Sequence, residues 1–212
     1  MLAKEGSTRE DDMKRVLALS VAAIALLVIG YAAGQEKAAP PSVHRVVTTI
    51  DKDGKAVALF DAAVPLESLR SPNPAGDIWV TQAYPADFNW SEDRAKIKVG
   101  LHPPHNGTVF RIVDFVPTTA KIDQMPIDTM MKVAGPDAPK RGLPPKHPMM
   151  HRTRTVDYAI IMSGEIDMML DDATVHLKAG DVVVQQATNH AWINHSGAPC
   201  RVAFILMDSQ DP

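Results

Sequence analysis

The stretch that decides the fold is HRTRTVDYAIIMSGEI, His151 to Ile166, in which a histidine and an aspartate precede an apolar run that ends at Ser163-Gly164. Successive side chains on an extended strand point to opposite faces. His151, Thr153, Thr155, Asp157 and Ala159 therefore share one face, while Arg152, Arg154 and Tyr158 share the other. Such a polar face reads either as a metal-binding strand or as a polar strand end, and a second segment downstream decides between them. That segment is HAWINH, His190 to His195, on which His190, Trp192 and Asn194 share a face. If both faces look into one barrel, two imidazoles and a carboxylate converge.

The surrounding block, His151 to Asp208, supports a barrel. It reads as the strands TVDYAIIMSG, EIDMML, TVHL, VVVQQ, HAWINH and CRVAFILMD, separated by the turns DDA, KAGD, ATN and SGAP. Short period-two runs with tight turns between them point to a closed or sandwiched antiparallel sheet. Upstream, VHRVVTTI, KAVALF, DIWVTQAY, KIKVGL and TVFRIVDFV also read as strands, punctuated by DKDGK, SPNPAG and PPHNG. A short helix is expected only around IDQMPIDTMMKV, with Pro126 in a first turn. AGPDAPKRGLPPKHP, with five prolines and two glycines, is expected to be a loop.

The 212 residues, 45% apolar and 22% charged, suit one domain with a sizeable core. A net charge of -3 and the lack of a Lys/Arg stripe argue against nucleic acid as a partner. Cys200 is the only cysteine, so no intrachain disulfide is possible. From Val16 to Gln35 no charged residue occurs, and Lys14 and Arg15 precede this apolar run. It reads as a secretory signal over residues 1–34, with translation starting at Met1 or Met13, or alternatively as a membrane anchor. Either way the expected location is periplasmic or secreted. Residues 35–42 then form a linker, and 43–212 a single domain with its barrel core at 151–208.

The pattern H-x-T-x3-D-x6-G from His151 to Gly164 resembles the first cupin motif, and G-x9-H-x3-N from Gly180 to Asn194 resembles the second. MHRTRTVDY, SGEI, LKAGDVVVQ and TNHAW are similar to small single-domain cupins of the cupin-2 type. The resemblance implies an all-β fold, a jelly-roll barrel with short N-terminal strands, often dimeric, and with its site in the barrel mouth. It also implies a ligand set. Thr153 stands where the family commonly has a second histidine and Asp157 where it has a glutamate, so the implied set is His151, Asp157 and His190. Two histidines and one carboxylate suit Fe(II), with Zn, Mn and Ni open. The same residues also suit a metal-free polar pocket.

The expected function is a metal-dependent enzyme acting on a small organic substrate by lyase, decarboxylase or dioxygenase chemistry. The alternative is a non-catalytic periplasmic protein that binds a small ligand in the same barrel. Tyr158 is the acid–base candidate, and Thr153, Trp192 and Asn194 are expected to line the pocket. His147 and the HPPH segment, His102 to His105, read as loops; His176 and His195 read as solvated, and Cys200 as a buried apolar group. Arg152 and Arg154 are expected on a salt-bridged outer face. The expected partner of such a barrel, besides its small-molecule substrate or ligand, is a second copy, giving a homodimer.

Overall fold

A computed structural model describes residues 40–68, 71–88 and 91–210. The expected signal or anchor segment lies outside the described residues. Ten strands follow in chain order: β1 (Ser42–Ile50), β2 (Ala56–Pro65), β3 (Ala75–Thr81), β4 (Thr108–Phe115), β5 (Thr155–Ser163), β6 (Glu165–Met169), β7 (Thr174–Lys178), β8 (Val182–Gln186), β9 (Ala191–Ile193) and β10 (Cys200–Asp208). Two short helices, α1 (Ala120–Asp123) and α2 (Thr129–Ala134), lie between β4 and β5. The all-β jelly-roll expectation holds.

Five strands pair antiparallel in the order β3-β4-β10-β5-β8, and three in the order β7-β6-β9. The two sheets enclose the main core. Ala159 and Ile161 on β5 and Val202 and Phe204 on β10 meet Ile166 and Met168 on β6, Leu177 on β7 and Trp192 on β9. Trp192 makes edge contacts with Phe204, ring centroids 5.4 Å apart, as expected for offset aromatic packing. Cys200 is buried in this core, and burial pushes its thiol up to about 11, so it behaves as a small apolar group.

The β1–β2 hairpin packs on the other face of the larger sheet. Val43 and Val64 sit against Leu66, Ile78, Ile112 and Ala203, whose chain neighbours Val113, Val202 and Phe204 face the main core. Farther along that outer face, Tyr158, Ile160, Met162, Val182 and Val184 are exposed. Tyr158 lies opposite Val184 and Ile160 opposite Val182, so these apolar groups are contiguous.

One expected strand is absent. KIKVGL starts within a 3-10 turn, Arg94–Lys96, that Asp93 caps by accepting the Ala95 N–H at 3.1 Å. The buried Arg45 guanidinium donates two bonds of 2.8 Å to the same Asp93 carboxylate, and Arg94 pairs with Asp87. These charge-assisted contacts hold the segment as a turn against β3 instead of in a sheet. The expected helix also splits in two, because Pro126 falls between α1 and α2 and its carbonyl accepts the Thr129 N–H.

The β5–β6 turn is sensitive to a single methyl. Gly164 has φ +75°, and a Cβ there would stand 2.8 Å from the Pro199 carbonyl oxygen. Gly164→Ala is therefore expected to destabilise by more than 1 kcal/mol, about the strain of a non-glycine left-handed residue. Ile166→Ala, emptying a site that is 1% exposed, is expected to cost about 2–5 kcal/mol. Urea unfolding of both variants measures these losses.

Candidate active site

His151 lies just before β5 in the larger sheet, and His190 just before β9 in the smaller one. Their backbones form a two-bond antiparallel bridge, His151 N–H to His190 O and His190 N–H to His151 O, both 2.9 Å. Directly paired residues carry their side chains to the same side. The two imidazoles accordingly stand together, with ring centroids 4.6 Å apart. This is the convergence expected from the two motifs.

Each ring is oriented from behind. His151 Nδ1 lies 3.0 Å from the Met149 carbonyl and His190 Nδ1 lies 2.9 Å from the Thr188 carbonyl. A carbonyl only accepts, so Nδ1 carries the proton in both rings and each Nε2 keeps its lone pair. Burial lowers both pKa values. For His190 the fall is to about 3, with the neighbouring His151 adding to it and the Thr188 carbonyl opposing it. For His151 burial is again the main cause, the Met149 carbonyl opposes it, and His102 adds to it through its charge. Both rings are neutral bases at pH 7.

His102, read from sequence as part of a turn, is held elsewhere by its own hydrogen bond. Its Nε2 donates to the Ala134 carbonyl at 2.8 Å, which ties α2 to the loop before β4. The only sequence signal for it was the HPPH segment. His147 is likewise tied down at a loop, 3.1 Å from Asp123, and lies outside the pair.

Asp157 faces the interior of β5, 5% exposed, with Oδ1 buried and without a hydrogen-bond partner. Burial pushes its carboxyl up to about 7, and the Thr155 hydroxyl only partly opposes this. Its cross-strand neighbour is Gln185, whose Nε2 donates to the same Thr188 carbonyl that orients His190. Asp157 is thus only a register neighbour of the residue that shares the Thr188 carbonyl with His190, and Gln185 Oε1, like Asp157 Oδ1, is buried and unpartnered. Asp157 is not gathered with the imidazoles: among the described residues no group of three or more His, Cys, Asp or Glu side chains comes together to hold a metal ion. The donors that do meet are two imidazoles, fewer than the three protein ligands of an open metal centre. The residues as placed do not fit the ion that the His151, Asp157 and His190 set was expected to hold.

The remaining expectations divide. Thr153 is buried and shares a 2.7 Å hydrogen bond with Thr155, on the same inward face as Asp157. Tyr158 is 45% exposed on the outer face, one position out of phase with Asp157, so it is no acid–base group for this site. Trp192 belongs to the core and forms a wall beside His190, ring centroids 6.3 Å apart. Asn194 is spent on a turn: Nδ2 donates to the Phe115 and Ala198 carbonyls, and Oδ1 accepts from Ser196. It does not line a pocket. His176 and His195 are exposed but not simply solvated, since both bond Asp167. Arg154 pairs with Asp208 at 3.6 Å as expected, whereas Arg152 does not join a salt-bridged face. Another groove, lined by Phe60, Asp93, Lys96 and Ile97, lies by the β1–β2 hairpin.

The chain is similar to several known proteins. Residues 139–206 match the family model Cupin_2, described as Cupin domain. Oryzines biosynthesis cluster protein J of Aspergillus oryzae is 29% identical over 180 residues, covering 80% of this chain and 85% of that protein. The cupin-domain-containing oxidoreductase srdD of Neurospora crassa is 29% identical over 177 residues, covering 80% of this chain and 76% of that protein. Among solved structures, a Cupin 2 conserved barrel domain protein from Salinispora arenicola aligns with a TM-score of 0.36 at 14% identity, over 68% of this chain and 82% of the other.

The two pKa displacements act oppositely on stability. Asp157 keeps its proton in the fold up to about 7 but loses it near 3.8 when unfolded, so its contribution is present at low pH and disappears as pH rises to about 7, by about 4 kcal/mol in all. His190 is neutral in the fold down to about 3 but protonates near 6.5 when unfolded, so its contribution is present at neutral pH and is lost as pH falls from about 6.5 to about 3. Between about 4 and 6.5 the two slopes offset each other. Asp157→Asn removes the first alone, so the variant is expected to lose stability on acidification much more steeply than the wild type. Unfolding free energies at pH 4.5, 6 and 7.5 test this; parallel curves would refute the paired displacement.

Proposed function

Since this chain is a cupin of the Cupin_2 type, we propose that it is an enzyme acting on a small organic substrate at the barrel mouth, with His151 and His190 as its reacting pair. One observation carries the reading. Two buried, neutral imidazoles are held with Nδ1–H bonded to backbone carbonyls, so that both Nε2 lone pairs are left for a reactant. Buried titratable groups with displaced pKa values and an unused lone pair are candidates for a functional site.

In this reading the Nε2 atoms accept a proton from the substrate, and their orientation is set by Met149 and Thr188. Asp157, protonated up to about 7 and with Oδ1 unpartnered, holds a proton on the same inward surface for return to the product. Thr153 and Thr155 supply further hydrogen-bonding groups there. Proton transfer is a step that lyases, decarboxylases and oxidoreductases share, so it accommodates the chemistry named for srdD. The biosynthesis-cluster name of the Aspergillus oryzae relative supports a small organic substrate. A resident divalent ion would need a third protein donor beside the two imidazoles.

We also propose that the chain forms a homodimer through Tyr158, Ile160, Met162, Val182 and Val184. Contiguous exposed apolar surface of this kind marks association sites, and here it continues the outer face that the chain's own hairpin covers beside β3, β4 and β10. Its edge is β8, which among the described residues has a sheet neighbour on one side alone. Val182→Lys with Val184→Lys is expected to turn a dimer into a folded monomer in sedimentation; a wild type that is monomeric at tens of micromolar overturns the proposal.

For the activity, turnover of a panel of small hydroxy, keto and carboxylic substrates is compared between wild type, His151→Ala and His190→Ala. Each substitution is expected to lower kcat/KM by about 10²–10⁴-fold, the usual worth of a positioned acid or base, with the fold retained. Tyr158→Phe is expected to change little. Activity should survive chelation; its loss, restored by one added divalent ion, would overturn the metal-free step. Ligand binding without turnover would favour the binding-protein reading.

A further inference from the structure

Arg152 follows His151 and projects to the opposite side of the bridge. Its Nε and Nη1 are buried with no hydrogen-bond partner, and among the described residues no carboxylate pairs with it. A guanidinium stays charged in a protein and cannot relieve its burial by losing a proton. Arg152 as a whole is half-buried, but leaving two buried guanidinium N–H groups unpaired is costly, and the fold retains them here.

The surroundings are shaped for it. Gly142, at φ +98°, lies directly against Nη1, and a Cβ at that position would collide with the guanidinium. The same absent Cβ would stand 3.9 Å from Asn189 Cβ, so Gly142 is the floor between the two side chains. Asn189 Nδ2 is committed to the Leu143 carbonyl at 3.2 Å and Asp171 Oδ1 at 2.8 Å, while its Oδ1 is buried and unpartnered. Asp171 is thus the nearby carboxylate, and it bonds the asparagine, not the arginine. Around this point the chain is one-signed: Lys140, Arg141, Lys146, Arg152 and Arg154 occur between Asp137 and Asp157 with no acidic residue among them. Lys146 itself donates to the Asp171 carbonyl and Arg154 pairs with Asp208, leaving Arg152 as the half-buried cation of the group with no counter-ion among the described residues.

We propose that Arg152 anchors an oxyanion-binding site behind the histidine pair, taking the carboxylate or phosphate of a small ligand. The guanidinium supplies paired N–H donors to the anion, the arrangement that suits carboxylate and phosphate oxygens. Asn189 Oδ1 accepts from an O–H on the same ligand, which favours a hydroxy acid or a hydrogen phosphate. Lys140 and Arg141, exposed on the loop, add attraction at long range. The site is separate from the proton-transfer site and does not depend on its assignment.

Thermal unfolding of the full chain is measured with inorganic phosphate, with malate and with chloride at matched ionic strength. A ligand that binds only the fold raises its stability in proportion to occupancy. Wild type is expected to gain melting temperature with phosphate or malate in a saturable way and not with chloride, and the more effective anion identifies the ligand class. Arg152→Met keeps the stem and removes the charge. It is expected to weaken the apparent affinity at least about tenfold while melting no lower than wild type in chloride. Arg152→Lys, which keeps charge but loses the fork, is expected to fall between them. No saturable shift with either anion, an unchanged affinity in Arg152→Met, or an Arg152→Met protein that unfolds in chloride would each overturn the site, the last because an unpartnered charge should not be needed for folding.

Discussion

The pair of backbone hydrogen bonds between His151 and His190 is the constraint from which the site follows. It joins the chain entering the larger sheet to the chain entering the smaller one, at a point where neither segment has yet become a regular strand. Asn194, just past β9, ties the other end of the smaller sheet to Phe115 of β4 and to Thr118, but at the His151 end this bridge is what joins the two sheets. With it, two side chains separated by the whole β5–β8 excursion are fixed as direct cross-strand neighbours. The bridge also sorts the adjacent residues: histidines to one side, Arg152 and Asn189 to the other. One local pairing thus creates both polar environments at this end of the barrel.

Much of this was legible in the sequence because strand alternation is a strong local rule. The spacing of His151, Thr153, Thr155 and Asp157 placed four polar groups on one face, and all four point inward or are at least half-buried. The turn residues around Gly164 and Gly180 marked the ends of β5 and the start of β8, and both glycines adopt positive φ. The same rule failed where strands stop. KIKVGL has the right composition for a strand, but the ion pairs of Asp93 with Arg45 and of Arg94 with Asp87 join residues that no local pattern connects. Asn194 has the parity of a pocket residue, yet its four hydrogen bonds close the turn into β10. Parity tells which way a side chain points, not whether its hydrogen-bonding capacity has already been used.

The carboxylate shows a second limit. A sequence motif lists donors without their depth along the strand, and Asp157 lies six residues beyond His151, inside the barrel and next to Gln185. Its shorter side chain and inward position leave it beside Gln185 instead of gathered with the imidazoles. Arg152 was misread for a related reason. Its parity correctly placed it away from Asp157, but an outward-facing arginine at a strand end has no assured counter-ion, and the Pro-rich loop carrying Gly142 covers it.

Below about pH 7, burial leaves the inward surface polar but without net charge. Both imidazoles are neutral because desolvation lowers their affinity for protons, and Asp157 is protonated up to about 7 because desolvation raises its own. These are the same physical effect acting on groups of opposite charge type. A barrel lined in this way selects reactants by hydrogen bonding and shape, and ionic strength has little purchase on it, because screening acts on charges and not on neutral donors and acceptors. The charged groups of this end of the molecule are instead on the other side of the bridge, in the loop from Lys140 to Arg154. A single backbone bridge thereby separates a neutral proton-transfer surface from a cationic one, and the two differ in the property that decides what each can bind.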